Sequence, residues 1–219
     1  IGLGQRRALA QALGQVGAVP VDGHYMGTKV AIKALYPEVF EPVENEVLAY
    51  GVQISNSDFG DGALTVQSFV LRLWCTNYAI AEDALRQVHL GKKLGDNIQF
   101  SKKTYALDTA TTVSAVEDIM RSLLSHRAVD QVLGAVKQAN EEGVTAYQVG
   151  NFLKNHLNKE DAKTVTEKFA SADIEMLPPG QTKWRLSNAL SWFAGEQEEE
   201  RKRVDLQELA GKAMKLASV

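Results

Sequence analysis

In the first half of the chain, short apolar runs alternate with turn residues. Val16–Val21, Lys29–Tyr36, Glu46–Ser55 and Ala63–Cys75 are dominated by Val, Ile, Tyr and Leu. Pro20, Asp22-Gly23, Gly27, Pro37, Pro42 and Asp61-Gly62 interrupt them. Runs of this length between such breakers predict strands in an antiparallel sheet. Two shorter strand-like runs follow, Gln87–Leu90 and Asn97–Lys102, divided by Gly91 and Gly95-Asp96. Gln5–Leu13 reads as a short helix ended by Gly14. One run admits two readings. Val66, Phe69, Val70 and Leu73 lie at i, i+3, i+4 and i+7, the spacing of a helix face. The strand-like flanks and the Asp61-Gly62 turn before it favour a strand.

From about Leu107 the pattern becomes helical, and no proline occurs between Pro42 and Pro178. Val113, Val116, Met120 and Leu123 share one face, with Asp108 or Thr109 as N-cap. The apolar phase slips at Ser125–Arg127 and resumes with Val129, Val132, Leu133 and Val136, which predicts one kinked helix or two helices. Thr145 is placed to cap a helix carrying Val149, Phe152, Leu153 and His156, and Asn158 precedes another with Val165 and Phe169. Pro178-Pro179-Gly180 is a break. Thr182 then caps Lys183–Ala194, and a last helix covers about Gln197–Ala217. The expected fold is α+β, with an antiparallel strand-rich part over 1–107 packed with a helical part over 108–219. The junction has no linker composition, which predicts one continuous domain.

Composition narrows the function classes. With 45% hydrophobic and 23% charged residues, the chain has the balance of a soluble globular protein. No apolar run approaches the roughly 18 residues of a membrane helix, and the first residues carry no signal-peptide pattern. Cys75 is the only cysteine, which excludes an internal disulfide and a multi-cysteine zinc site. A cytoplasmic location is expected.

Two kinase-like strings, Val30-Ala31-Ile32-Lys33 and Asp58-Phe59-Gly60, lie only 25 residues apart, with no room for a catalytic loop between them. Val16 also stands where a glycine-rich loop needs its second glycine. The first string reads instead as a half-buried strand. Asp58 and Asp61 share a glycine-rich loop whose oxygens suit a divalent cation. The same residues are turn formers, and the calcium-loop pattern is missing. His24, His89, His126 and His156 are scattered, so no metal site and no cofactor is expected, and no nucleophile has a visible base beside it.

Charge is distributed unevenly in a chain of net −3. Between Ala84 and Leu107, Arg86, Lys92, Lys93, Lys102 and Lys103 face a single acid, Asp96, with His89, Phe100 and Tyr105 interleaved. Lysines can track a phosphate backbone while rings stack on bases. Lysines on a sheet edge also block aberrant strand pairing, which is the plainer reading. Glu38, Glu41, Glu44 and Glu46 form an acidic run, and Glu198–Lys202 and Glu199–Arg203 have the spacing of i, i+4 ion pairs on a solvated helix face.

The stretch Ile54–Asn77, ISNSDFGDGALTVQSFVLRLWCTN, resembles a signature of the phage/plasmid-like proteins, domain of unknown function 932. Arg86–Gly91, Trp184–Phe193 and Leu206–Ala210 resemble further segments of that family, so the resemblance runs from about Val47 to the C-terminus. The chain departs from the pattern at Tyr78, where the family has glycine. The resemblance implies a mobile-element protein inside a bacterial cell.

Three functions remain open. The first is a non-enzymatic DNA-binding protein, for single-strand binding or annealing, acting as a homo-oligomer. Arg72, Arg86, His89, Lys92, Lys93, Lys102 and Lys103 would then meet phosphate, and Phe100 or Tyr105 would stack on bases. The second is a structural or protein-interaction module, for which Trp184 and Trp192 are candidate anchors if exposed. The third is a metal-dependent nuclease using Asp58 and Asp61.

Overall fold

The computed structural model describes residues 13–26, 29–57, 64–73, 77–87, 101–123, 125–173 and 177–216. An antiparallel sheet forms the N-terminal half and helices form the C-terminal half, an α+β arrangement as expected. Strands β1 (Val19–Met26), β2 (Lys29–Val43), β3 (Glu46–Ser57), β4 (Leu64–Arg72) and β5 (Asn77–Gln87) lie side by side in chain order. Short reversals between successive strands produce this meander.

Local chemistry explains two of its details. The β2–β3 reversal is Glu44-Asn45, and Asn45 takes a φ of 63°, a left-handed conformation asparagine tolerates. Its N–H donates to Glu41 Oε1 at 2.9 Å. On β1 the pairing with β2 is irregular between Pro20 and Asp22. Proline cannot donate to a ladder, and an edge strand with such an irregularity resists unwanted pairing.

The ambiguous run is a strand, β4. Every β4 residue except Thr65 is buried. A strand covered on both faces loses its alternation, so a helical spacing arises by coincidence within a continuous apolar run.

Helices α1 (Lys102–Leu123), α2 (His126–Glu141), α3 (Ala146–His156), α4 (Lys159–Ala170), α5 (Lys183–Gly195) and α6 (Glu200–Met214) follow. The expected slip is a break between α1 and α2, where the Ala128 N–H meets the Ser125 carbonyl at 2.9 Å. The expected cap at Asp108 or Thr109 is wrong, because α1 begins at Lys102. Ser101 Oγ accepts from the Thr104 N–H at 3.2 Å and supplies the cap. Lys102 is therefore helical rather than the end of a strand. The proposed helix over Gln5–Leu13 falls almost wholly outside the described residues, as do 88–90 and 97–100.

The chain forms two compact units, each assembled from separated segments. One comprises residues 1–37, 51–68 and 83–128, and the other 38–50, 69–82 and 129–219. Both draw on strands and helices, so the units do not follow the change of pattern at residue 107. In the first unit, Val116 and Met120 of α1 are fully buried. Tyr36 Oη of β2 donates to the Met120 carbonyl at 3.2 Å and joins α1 to the strand.

In the second unit the caps fall where expected. Thr145 and Gln148 form a capping box on α3, Asn158 accepts from the Asp161 N–H, and Thr182 accepts from the Arg185 N–H. Helix α5 is buried nearly all round, from Lys183 to Ser191 without interruption. It packs against both α4 and α6. The helix has polar residues on several sides, so its buried polar groups need partners. Arg185 donates to the Phe169, Pro178 and Ser171 carbonyls, closing the C-terminal end of α4 and the loop beyond it. Burial lowers the pKa of its guanidinium, an effect opposed by Asp173. The group stays charged at neutral pH.

The predicted ion pairs within Glu196–Arg203 are replaced by others. Helix α6 starts at Glu200, so Glu198 and Glu199 precede the helical geometry an i, i+4 pair needs. Arg203 pairs with Glu200 at 2.9 Å, and Lys202 reaches Asp161 of α4 at 2.7 Å. Arg185→Met is expected to lower stability by about 3 kcal/mol, because buried carbonyls lose their donors. Urea unfolding measures the loss, and an unchanged midpoint would show that the three bonds contribute nothing net.

Candidate nucleic-acid interface

The nine residues proposed to meet nucleic acid fall into four groups. Lys102 and Lys103 are described and exposed. They occupy the first turn of α1, which holds no acidic residue. The amino end of a helix carries partial positive charge from its unpaired N–H groups, and this adds to the lysines. Arg86 lies on β5 and Tyr105 on α1, with the backbone alone described. His89, Lys92, Lys93 and Phe100 lie outside the described residues.

Arg72 belongs elsewhere, and its proposed contact with phosphate is corrected. It is 4% exposed, at the end of β4. Its Nε and Nη2 each lie 2.7 Å from the Glu46 carboxylate, in a two-pronged ion pair. Trp184 Nε1 of α5 donates to the same carboxylate at 3.1 Å. All three side chains are buried. Two bonds to one carboxylate hold the guanidinium plane, and the indole N–H takes part of the remaining acceptor capacity. An arginine inside the apolar run Ser68–Trp74 was the available signal, since a charge in a strand buried on both faces needs a buried partner. The partner was not legible, because Glu46 stands in one acidic run with Glu38, Glu41 and Glu44. That run divides: Glu38, Glu41 and Glu44 are exposed, and Glu46 is buried.

Trp184 is core, which removes it as a surface anchor. Trp192 is half-buried, with Lys168 Nζ 4.6 Å from its ring centroid. Lys33 of the kinase-like string is also buried and lies across from Asp22 on β1, 3.9 Å from its carboxylate. The lysine is part of the sheet.

Asp58 and Asp61 lie outside the described residues. Among the described residues, no group of three or more His, Cys, Asp or Glu side chains is placed to hold a metal ion. His156 is exposed at the end of α3, with Nδ1 2.8 Å from the Phe152 carbonyl. No helix among the described residues is long and apolar enough to cross a membrane. No family model matches the chain, and neither a curated protein nor a solved structure matches it.

Removing one partner of the buried pair leaves the other charge stranded. Arg72→Met is expected to cost about 3–5 kcal/mol, and Glu46→Leu combined with Arg72→Met to recover most of it. Denaturant unfolding of the wild type, the two single variants and the double variant checks this. Additive losses in the double variant would show that the two residues do not act as a pair.

Proposed function

We propose that the chain is a nucleic-acid-binding protein without catalytic activity, carried by a phage or plasmid and working in the cytoplasm of the bacterial host. Its ligand is single-stranded DNA, and its working form is a homo-oligomer. The observation that carries this reading is the exposed Lys102-Lys103 pair on an acid-free first turn of α1. The pair closes the basic strip that begins at Arg86. Arg86, His89, Lys92 and Lys93 extend the positive charge along the sequence, and Phe100 and Tyr105 supply rings for stacking. Exposed lysines attract phosphate without sequence preference, as single-strand binding requires. The resemblance of Ile54–Asn77 to phage/plasmid-like proteins supports the mobile-element setting.

Arg72 has no part in this interface, because its guanidinium is held by Glu46. Fluorescence anisotropy with a labelled single-stranded oligonucleotide provides the test. The logarithm of the wild-type affinity is expected to fall with the logarithm of salt concentration, by about 0.7 for each phosphate neutralised. Lys102→Glu/Lys103→Glu is expected to weaken binding about tenfold or more and to flatten the slope by about 1.4. Binding that is absent, or indifferent to salt, would remove the proposal.

A further inference from the structure

Helix α3 has an outer face whose chemistry the fold leaves unused. Val149, Phe152 and Leu153 are buried on its inner side, and the Thr145–Gln148 capping box fixes its start. Tyr147, Gly150, Asn151 and Lys154 are exposed. They stand at i, i+3, i+4 and i+7, so they form one stripe. Tyr147 is 76% exposed, the most exposed large apolar side chain among the described residues. Among those residues, neither the Tyr147 nor the Lys154 side chain has a hydrogen bond, ion pair or ring contact.

A lone exposed apolar side chain needs no explanation. The company of Tyr147 is what distinguishes it. Of the six described helices, α3 alone combines an exposed face with no carboxylate. Helices α1, α2, α4 and α6 each carry at least two acidic residues, and α5 is buried nearly all round. Of the acids that flank α3, Glu142 pairs with Lys183 and Asp161 with Lys202.

The stripe offers complementary contacts to one kind of polymer. An exposed ring gives a face on which any base can stack, and tyrosine loses little freedom in providing it. An amide donates to phosphate. A lysine without a counter-charge attracts phosphate, and no carboxylate on the helix repels it. Tyr147 and Lys154 lie about 10 Å apart along the helix axis, within reach of one short stretch of strand.

We propose that this face of α3 is a second single-strand contact, with Tyr147 stacked on a base and Asn151 and Lys154 on the adjoining backbone. It lies in the second compact unit, whereas Lys102 and Lys103 belong to the first. The site extends the single-strand reading above and rests on it. Paired bases in a duplex have no free face, so the contact favours unpaired strand.

Fluorescence anisotropy on the full chain tests the proposal, with a labelled oligothymidine and an abasic strand of the same length. Tyr147→Ala is expected to weaken oligothymidine binding about tenfold and to leave its salt slope unchanged. The abasic strand should bind this variant as it binds the wild type, because it has no base to stack. Tyr147→Phe keeps the ring and should bind oligothymidine like the wild type. Lys154→Ala should weaken both strands and flatten the salt slope by about 0.7. These side chains are exposed, so unchanged melting temperatures separate a lost contact from lost folding. A Tyr147→Ala variant that binds oligothymidine like the wild type, or loses both strands equally, would overturn the inference. So would a Tyr147→Phe variant as weak as Tyr147→Ala. Lys102→Glu/Lys103→Glu, measured alongside, judges the α1 site separately. Loss in that variant alone leaves the α1 site standing and removes this one, and loss in Tyr147→Ala alone does the reverse. A wild type that binds neither strand removes both.

Discussion

The buried carboxylate of Glu46 organises the larger compact unit. It receives Arg72 from the end of β4 and the indole N–H of Trp184 from α5, a residue 138 positions away in sequence. Burying these charges costs several kcal/mol unless each finds its counterpart in good geometry. The pair therefore tolerates little sliding of β3 against β4, since a slip of one residue would turn one charge to the other face. The backbone bond from the Leu73 N–H to the Val47 carbonyl at 3.0 Å continues the same register. Helix α5 is thereby tied to the sheet through its first turn, and two of its other buried polar side chains are satisfied in place. Arg185 and Asn188 both donate to backbone carbonyls.

Most of the secondary structure was legible because its causes are local. Thr145, Asn158 and Thr182 announce their helices through side chains that accept from N–H groups three residues on. Strands β1 to β4 were visible in part as apolar runs, but Asp22-Gly23, Pro37 and Pro42, which read as breakers, lie inside β1 and β2, and Asn77–Gln87 did not read as a strand. Signals failed where the cause lay far along the chain. The start of α1 was placed too late because Ser101, a modest cap, precedes Lys102, which closes a strand-like run in the sequence. Helix α5 is enclosed by neighbours that no local period reveals. Arg72 was assigned to the surface because its partner, Glu46, is 26 positions away and carries a charge that reads as solvent-facing.

The two fates of basic residues in this chain follow from one rule. A cation buried in the sheet needs a counter-charge from the fold, as Arg72 finds in Glu46 and Lys33 in Asp22. A cation on an exposed helix turn keeps its hydration and remains available to external anions, as at Lys102 and Lys103. The candidate interface thus contracts from the full list of basic and aromatic residues to those outside the sheet interior. The same segregation leaves Glu38, Glu41 and Glu44 exposed on a different segment, so a modest net charge conceals two local fields of opposite sign.

The central claim is that the basic turn at the head of α1, and not the chain's positive charge in general, meets nucleic acid. Lysine-reactivity footprinting with and without a single-stranded oligonucleotide tests it most directly. Lys163 on α4 is the internal control, exposed and beside Glu167. The account predicts that the oligonucleotide slows acetylation of Lys102 and Lys103 several-fold while Lys163 reacts at its original rate. Equal protection of all three lysines, or none at any, would contradict it.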